Sequence, residues 1–199
     1  MNPFLEIYNL IFYQPVSGAL FFFYKHLKDF GLAVISLTTL IRIALFPLDY
    51  ESSKEEKKFL RIKKAIEEIE KKFDGEKKSQ EIVNLYKREK INPFFSLFSL
   101  GIQLPILVSL YRVLLGATTK VNPFFFGIFN LSEPNLLLTS IAIFIQVFYL
   151  RFSPQKTNLF FVPLSFFILL KLPSAISLYF MISYLFLIFE KIIFHGRIS

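Results

Sequence analysis

Five long apolar runs constrain this chain more than any other feature of its sequence. They cover Gly31 to Leu48, Phe94 to Leu115, Leu136 to Leu150, Asn158 to Leu170 and Ser174 to Phe189. A helix needs about 20 apolar residues to cross the ~30 Å hydrocarbon core of a bilayer, and fewer where the bilayer is thinner. The runs lack the alternation of strands, and an open sheet edge cannot exist in lipid. The sequence therefore predicts an all-α integral membrane protein with five transmembrane helices.

The composition agrees with a lipid environment and excludes several kinds of chemistry. Hydrophobic residues make up 54% of the 199 residues and include 27 Phe, which is too much apolar surface for a soluble domain of this size. The absence of Cys excludes disulfides, thiolate nucleophiles and Cys-ligated metals. With only two His, far apart in the chain, we expect no metal site, no cofactor and no enzyme active site.

The chain divides into four predicted segments. Residues 1–30 are apolar but interrupted by polar residues, Pro and Gly, which favours an interfacial helix and lead-in over a secretory signal, since basic residues are missing at the start. Residues 31–48 form the first span. Residues 49–93 form a cytoplasmic helical hairpin, and residues 94–199 hold spans two to five, their short loops and a cytoplasmic tail. Lys171 to Ser174 is predicted to form a tight turn between the last two spans.

The predicted hairpin has the apolar spacing of a coiled coil. In its first helix, apolar residues recur at steps of three and four and form a seam along one face. Asp74-Gly75 is the predicted turn, and the second helix contributes three more apolar residues to the seam. The seam residues are Phe59, Ile62, Ile66, Ile69 and Phe73, then Ile82, Leu85 and Tyr86. The hairpin mixes 13 Lys and Arg with 11 Asp and Glu, so its charges indicate a solvated surface and no sequence-specific nucleic-acid binding.

The distribution of basic residues predicts the orientation. If the hairpin is cytoplasmic, 17 of the 23 Lys and Arg residues lie on that side and four lie on the other, with Arg42 and Arg112 inside spans. The positive-inside rule then places the amino terminus outside and the carboxyl terminus in the cytoplasm.

Arg42 lies inside the first span, where a charge is costly. One interpretation is that it snorkels, because Asp49 at the cytoplasmic border is about 10 Å further along the helix. Against this, Thr38 and Thr39 lie on the same helix face, and the second span carries Ser99 and Gln103 on one polar stripe, with Gln103 at a depth similar to that of Arg42. All 15 carboxylates fall outside the five runs. We therefore hypothesise a hydrated groove that contains Arg42 and opens to the cytoplasm.

Two further polar residues lie within the predicted spans. Gln146, four residues from the cytoplasmic end of the third span, is predicted to be either interfacial or buried. Arg112, near the outer end of the second span, is predicted to snorkel outward.

Several motifs resemble the YidC/Oxa/Alb family of membrane protein insertases. They are GLAVISLTTLIRIALFPL, EIVNLYKREKINPFFSLFSLGIQLPILVSLYRVL, the FSP of Phe152 to Pro154, FVPLSFF and LPSAISLYFMISYL. The chain departs from the family pattern at Ser99, where Pro is usual, and at Tyr184, where Asn is frequent. The resemblance implies five core helices around a hydrophilic groove in the inner leaflet, whose arginine attracts acidic segments of new membrane proteins.

Carried onto this sequence, the resemblance assigns the groove charge to Arg42 and the groove lining to Thr38, Thr39, Ser99 and Gln103. It places Tyr179 and Phe180 on a slide that contacts the substrate. The implied partners are nascent membrane proteins with acidic amino-terminal tails and the lipid bilayer, with the Sec translocon and the ribosome as further candidates. The alternative is a small ion channel or transporter subunit, which would also place polar groups in mid-membrane but would need a pore open to both faces.

Overall fold

The computed structural model describes residues 3–90, 94–117, 121–151 and 161–195. The chain is almost entirely helical. Its helices are α1 (Pro3–Tyr8), a π-helical segment (Asn9–Tyr13), α2 (Gln14–Leu27), α3 (Phe30–Lys72), α4 (Gly75–Arg88), α5 (Phe94–Ala117), α6 (Leu136–Arg151), α7 (Phe161–Leu169) and α8 (Ser174–His195). Two short antiparallel strands, β1 (Phe124–Phe125) and β2 (Phe129–Asn130), pair between α5 and α6.

The chain forms two compact units, one of residues 1–44 with 105–199 and the other of residues 45–104. Two helices, α3 and α5, run from one unit into the other. Each carries an internal proline close to the boundary, Pro47 in α3 and Pro105 in α5. Because proline has no backbone N–H, each of these helices lacks one internal hydrogen bond near the point where it changes unit.

The first unit packs its helices around one apolar core. Its fully buried side chains come from α2, α3, α5, the loop before α6, and α8, and include Leu20, Phe30, Leu110, Leu131 and Ile176. Polar pairs join the helices within this core. The hydroxyls of Thr139 on α6 and Ser177 on α8 lie 3.0 Å apart, and both residues are buried. Such hydroxyl pairs are common between membrane helices, where no water competes for them.

Gln146 is buried, which settles the alternative that the sequence left open. Its Nε2 donates a hydrogen bond to Ser165 Oγ at 3.3 Å, which joins α6 to α7. The turn predicted between the last two spans is confirmed, because α7 ends at Leu169 and α8 begins at Ser174. The predicted start of the fourth run at Asn158 lies outside the described residues.

The amino-terminal helices pack against the carboxy-terminal half of α5. Tyr8 Oη lies 2.8 Å from Ser109 Oγ, and the Arg112 guanidinium donates to Asn9 Oδ1 at 3.2 Å. The same guanidinium stacks over the rings of Tyr8 and Tyr13, at 5.6 and 4.8 Å from their centroids. Arg112 is exposed, as a snorkelling residue would be, but it holds the π-helical segment as well.

The second unit contains the predicted helical hairpin. Ile62 on α3 and Leu85 on α4 are buried against each other's helices, with Ile66, Ile69 and Tyr86 packed around them. Gly75 begins α4 with a φ of 60°, a conformation that glycine adopts without strain, so the predicted turn is confirmed. Phe73 is exposed rather than in the seam, and the Phe59 side chain lies outside the described residues.

Two expectations need correction. The fold is not purely helical, since β1 and β2 form a small hairpin. The first span and the first hairpin helix are one continuous helix, because the change from apolar to charged residues near Asp49 does not interrupt backbone hydrogen bonding in α3. Among the described residues, two helical stretches have the length and hydropathy of a full span, Phe30–Glu51 and Ser174–Ile193, while Leu104–Gly116 and Leu136–Leu150 are shorter apolar helices.

Candidate functional site

Arg42 is buried inside the first unit. Its side chain is only 3% exposed. It follows Val34 and Thr38 at successive steps of four along α3, so the three residues share one helix face. A guanidinium stays protonated in proteins, and this position therefore carries a permanent positive charge.

The two threonines beside Arg42 use their hydroxyl protons within α3. Thr38 Oγ1 donates to the Val34 carbonyl at 2.6 Å, and Thr39 Oγ1 donates to the Ile35 carbonyl at 2.9 Å. Thr38 is fully buried and Thr39 is partly exposed. Their remaining lone pairs make them acceptors, which suits a cation better than an acidic ligand.

A row of aromatic side chains lies next to the cation. It consists of Tyr179, Phe180 and Tyr184 on α8 with Tyr149 on α6, and is called the aromatic row below. Neighbouring ring centroids are 5.6, 6.1 and 5.5 Å apart along it. Arg42 interacts electrostatically with Tyr184, and Tyr184 with Tyr179. At the far end, the Lys191 ammonium lies 4.6 Å from the centroid of the Tyr149 ring.

The buried hydroxyl of Ser183, also on α8, is available for a further hydrogen bond. Ser183, one turn after Tyr179, is almost fully buried, and within the described part of the chain its Oγ has no hydrogen-bond partner. Buried polar atoms of this kind usually bind an ordered water or a ligand group.

The predicted site residues are brought together only in part. Arg42, Thr38 and Tyr179 are buried in the first unit, and Phe180 is partly exposed beside them. Ser99 and Gln103 lie on α5, but their side chains are outside the described residues, so their place in a groove stays a prediction.

Sequence reasoning missed two members of the aromatic row. These are Tyr149 and Tyr184, and the sequence marked Tyr184 only as a departure from the family pattern. The spacing of four between Phe180 and Tyr184 was a usable signal, because aromatic residues at that spacing stack on one helix face.

Glu190 lies just beyond the predicted end of the last span. The last span was predicted to end at Phe189, where a charged pair begins, but α8 continues to His195 and its apolar stretch includes Glu190. The side chain is 3% exposed. Glu190 lies about 9 Å along α8 from Tyr184, so the helix bundle contains an acidic group as well as Arg42.

Comparison with known sequences identifies relatives over nearly the whole chain. Residues 22–199 match the family described as 60Kd inner membrane protein. A membrane protein insertase YidC from Buchnera aphidicola subsp. Baizongia pistaciae is 33% identical over 191 residues, which cover 89% of this chain and 36% of that protein. The insertase YidC of Wigglesworthia glossinidia brevipalpis is 33% identical over 195 residues, 92% of this chain and again 36% of that protein. This chain thus spans about a third of the length of these relatives.

A solved structure has a similar fold. It is described as an active YidC insertase crystal structure with the first transmembrane domain resolved. It aligns with a TM-score of 0.65 at 25% sequence identity and covers 89% of this chain and 44% of that chain. The mostly helical fold described above therefore resembles that of YidC.

Proposed function

This chain belongs to the 60Kd inner membrane protein family, which its residues 22–199 match, and on that premise we propose that it is a membrane protein insertase and chaperone. It would insert newly synthesised membrane proteins into the bilayer and help them fold. The relatives named above are described as membrane protein insertases. These relatives are much longer than this chain. We therefore propose, by analogy with the whole relatives, what its activity, substrates and partners are.

The buried charge of Arg42 is the observation that carries the proposal. Arg42 is the one charged residue between Phe30 and Leu48, and it is 3% exposed beside the aromatic row. A charge buried in a membrane helix costs several kcal/mol, so such residues are generally functional. A cation can attract the acidic, hydrophilic segment of a substrate that has to leave water.

The groove would lie on the cytoplasmic side of five membrane-crossing helices. We assign the crossings to α3, α5, α6, α7 and α8, of which the shorter ones would cross where the bilayer is thinned. Arg42, Thr38 and Thr39 would line the groove from α3, and Ser99 and Gln103 from α5. The Ser183 hydroxyl has no hydrogen-bond partner among the residues that the structure describes, which supports the presence of water or a polar ligand near the aromatic row.

The strength of the attraction suits transient binding. A substrate carboxylate about 4 Å from the guanidinium gains on the order of 4 kcal/mol at an effective dielectric constant of 20. The desolvation of both groups reduces this gain. The net affinity is then enough to recruit a segment and too small to retain it.

The aromatic row would guide the apolar part of the substrate towards lipid. Phe180 is partly exposed and can contact a passing helix without rearrangement. Tyr179 is almost fully buried, so substrate contact there requires its neighbours to move. Aromatic side chains offer a large apolar area with few rotatable bonds, which makes them suitable for brief contacts.

We propose a location in the bacterial inner membrane with the amino terminus outside and the carboxyl terminus in the cytoplasm. In this orientation α1 and α2 form an interfacial segment on the outer side, and the hairpin of α3 and α4 extends into the cytoplasm. The hairpin would receive substrates, the Sec translocon or the ribosome. The excess of Lys and Arg on the hairpin side supports this orientation.

Insertion into reconstituted vesicles tests the function. The substrate is a short single-span protein with an acidic amino-terminal tail, and insertion is scored by protection of the tail from protease. We expect Arg42→Ala to slow insertion strongly and Arg42→Lys to slow it less, because Lys keeps the charge but loses the planar fork of donors. A tail with its acidic residues replaced by amides is the matched control. If that tail responds equally to Arg42→Ala, charge attraction is not the mechanism.

Accessibility of single cysteines tests the groove. The chain has no native Cys, so each introduced thiol is the one site of labelling. We expect Cys at positions 39 and 103 to react with a membrane-impermeant reagent from the cytoplasmic side, and Cys at Asn122 to react from the other side; position 39 is chosen because Thr39 is partly exposed whereas Thr38 is fully buried. Labelling of position 39 from both sides would indicate a continuous pore and would overturn the groove.

A further inference from the structure

The short β-hairpin between α5 and α6 exposes a compact apolar tip. Its side chains alternate between two sides, with Phe125 and Phe129 packed towards the core and Phe124, Phe126 and Ile128 turned away. Phe126 is 63% exposed and Ile128 is 73% exposed. No charged residue lies between Val121 and Ser132. The three outward residues are called the apolar tip.

Contacts to neighbouring helix ends hold the hairpin. Asp29, just before α3, accepts a hydrogen bond from the Phe126 backbone N–H at 2.6 Å and another from the Leu32 N–H at 2.9 Å. The Phe125 ring lies directly over Gly31, where a Cβ atom would stand only 2.0 Å from the ring. The β-hairpin that carries the apolar tip is therefore held in place by its contacts with Asp29 and Gly31.

The backbone of Phe126 indicates that its aromatic side chain has a role. The turn places Phe126 and Gly127 at φ values of 50° and 69°, and the Ile128 N–H donates to the Phe125 carbonyl at 3.0 Å. Turns with two positive φ values strongly prefer Asn or Asp followed by Gly. An aromatic residue in the first position is unfavourable for the backbone, and strained positions of this kind are found mainly at functional sites.

The hairpin lies where several helices end. It contacts the start of α3 through Asp29, and the loop that follows it contacts the start of α8, where the Ala175 N–H donates to the Leu131 carbonyl at 3.1 Å. Both helices have the length and hydropathy to cross a bilayer. Their amino-terminal ends thus mark a membrane boundary, and the apolar tip lies at it.

The exposed apolar surface continues beside the hairpin in sequence. Leu115 near the end of α5, and Leu136 and Leu137 at the start of α6, are all exposed. On helices in a bilayer such residues face lipid. The uncharged apolar tip lies next to this surface and at the same boundary. If the tip did not contact lipid, the side chains of Phe126 and Ile128 would be exposed to water.

We propose that the apolar tip inserts into the interfacial region of the leaflet at the amino-terminal ends of α3 and α8, and that lipid acyl chains are its partner. Phe126 and Ile128 embed beside the headgroups, and Asp29 fixes the backbone that carries them. This anchors that end of the bundle in its leaflet. The inference goes beyond the proposed function and requires only that α3 and α8 cross the bilayer.

Tryptophan fluorescence tests the depth of the tip. The chain has no native Trp, so Phe126→Trp or Ile128→Trp in the full chain is the single emitter. Each variant is reconstituted in phosphatidylcholine vesicles with acyl chains brominated either near the headgroup or near the bilayer centre. We expect blue-shifted emission that shallow bromine quenches more than deep bromine. Phe144→Trp, on the exposed face of α6, should be quenched more by deep bromine, and Val83→Trp, on α4, by neither.

Two results would overturn the proposal. Red-shifted emission without quenching would place the tip in water, and blue-shifted emission without quenching by either lipid would place it against protein, such as a second copy of the chain. If Phe126→Trp does not fold, Ile128→Trp leaves the turn residues intact and gives the same reading. Since the vesicles contain no substrate, the result is independent of whether the chain inserts proteins.

Discussion

The packing of Phe125 on Gly31 makes a single methyl group at Gly31 a sharp test of the structure. In Gly31→Ala the new Cβ would lie 2.0, 2.3 and 2.7 Å from three atoms of Phe125, whereas ordinary contacts begin at 3.4 Å. Two of these atoms are the Cβ and Cγ at the base of the side chain. Rotation of the ring alone does not remove the overlap, so the β-hairpin of β1 and β2 has to move away from α3.

The expected cost follows from overpacking. Inserting a methyl group into a filled site typically costs 1–3 kcal/mol, and about 2 kcal/mol corresponds to a fall of roughly 4–8 °C in the unfolding temperature for a chain of this size. The matched control is Gly18→Ala, which makes the same change inside α2 where nothing lies within 4 Å of the new Cβ. That variant should be more stable by up to about 1 kcal/mol, because alanine favours a helix over glycine.

The assay is thermal unfolding of both variants in one detergent, with Phe125→Ala added to each. Phe125→Ala alone removes apolar packing and should destabilise the chain. In the Gly31→Ala background it should cost less or even restore stability, since it removes the overlapping ring, which gives a coupling energy of at least about 1 kcal/mol. No such coupling is expected with Gly18→Ala. Equal unfolding temperatures for Gly31→Ala and Gly18→Ala would refute the packing of the β-hairpin on α3.

Three further predictions concern other contacts. Arg112→Ala should lower the stability of the docked π-helical segment by about 1 kcal/mol, the usual size of an exposed cation–π contact. Protease cleavage within that segment should become faster, and an unchanged cleavage rate would contradict the contact. Thr139→Val keeps the side-chain shape but leaves the Ser177 hydroxyl without its partner, so unfolding should become easier by about 1 kcal/mol, and adding Ser177→Ala should recover part of it. Burial first, and then the Glu70 carboxylate, raises the pKa of Tyr86 above its usual 10.0, so Glu70→Gln should lower the pKa measured by NMR. Because this pKa is higher in the folded state than in the unfolded state, hairpin stability should fall as the pH rises above about 10.

Local pattern was enough to predict most helices. The runs from Phe94, Leu136 and Ser174 begin α5, α6 and α8 at those residues, and the seam residues Ile62 and Leu85 are buried as predicted. These features depend on residues within a few turns of one another. A helix buries its own backbone polar groups, so an apolar run in lipid has few other conformations available.

Helix ends and charged positions were predicted less well. The predicted first and last spans end at Leu48 and Phe189, just before the charged residues Asp49 and Glu190, but α3 and α8 both continue past these residues. Helical hydrogen bonds form between backbone groups and do not stop where the side chains change character. Whether a carboxylate such as Glu190 is buried depends on what packs over it.

The sequence alone determined that this chain is a helical membrane protein with a cation inside its first span and a charged helical hairpin. Each of these follows from composition and periodicity within one segment. Only the tertiary structure decided that Tyr184 lies beside Arg42, that Phe125 covers Gly31 and that Asp29 holds the tip of a β-hairpin 97 residues away. Those contacts join segments that no local pattern relates, because they arise when helices pack and bring their ends together.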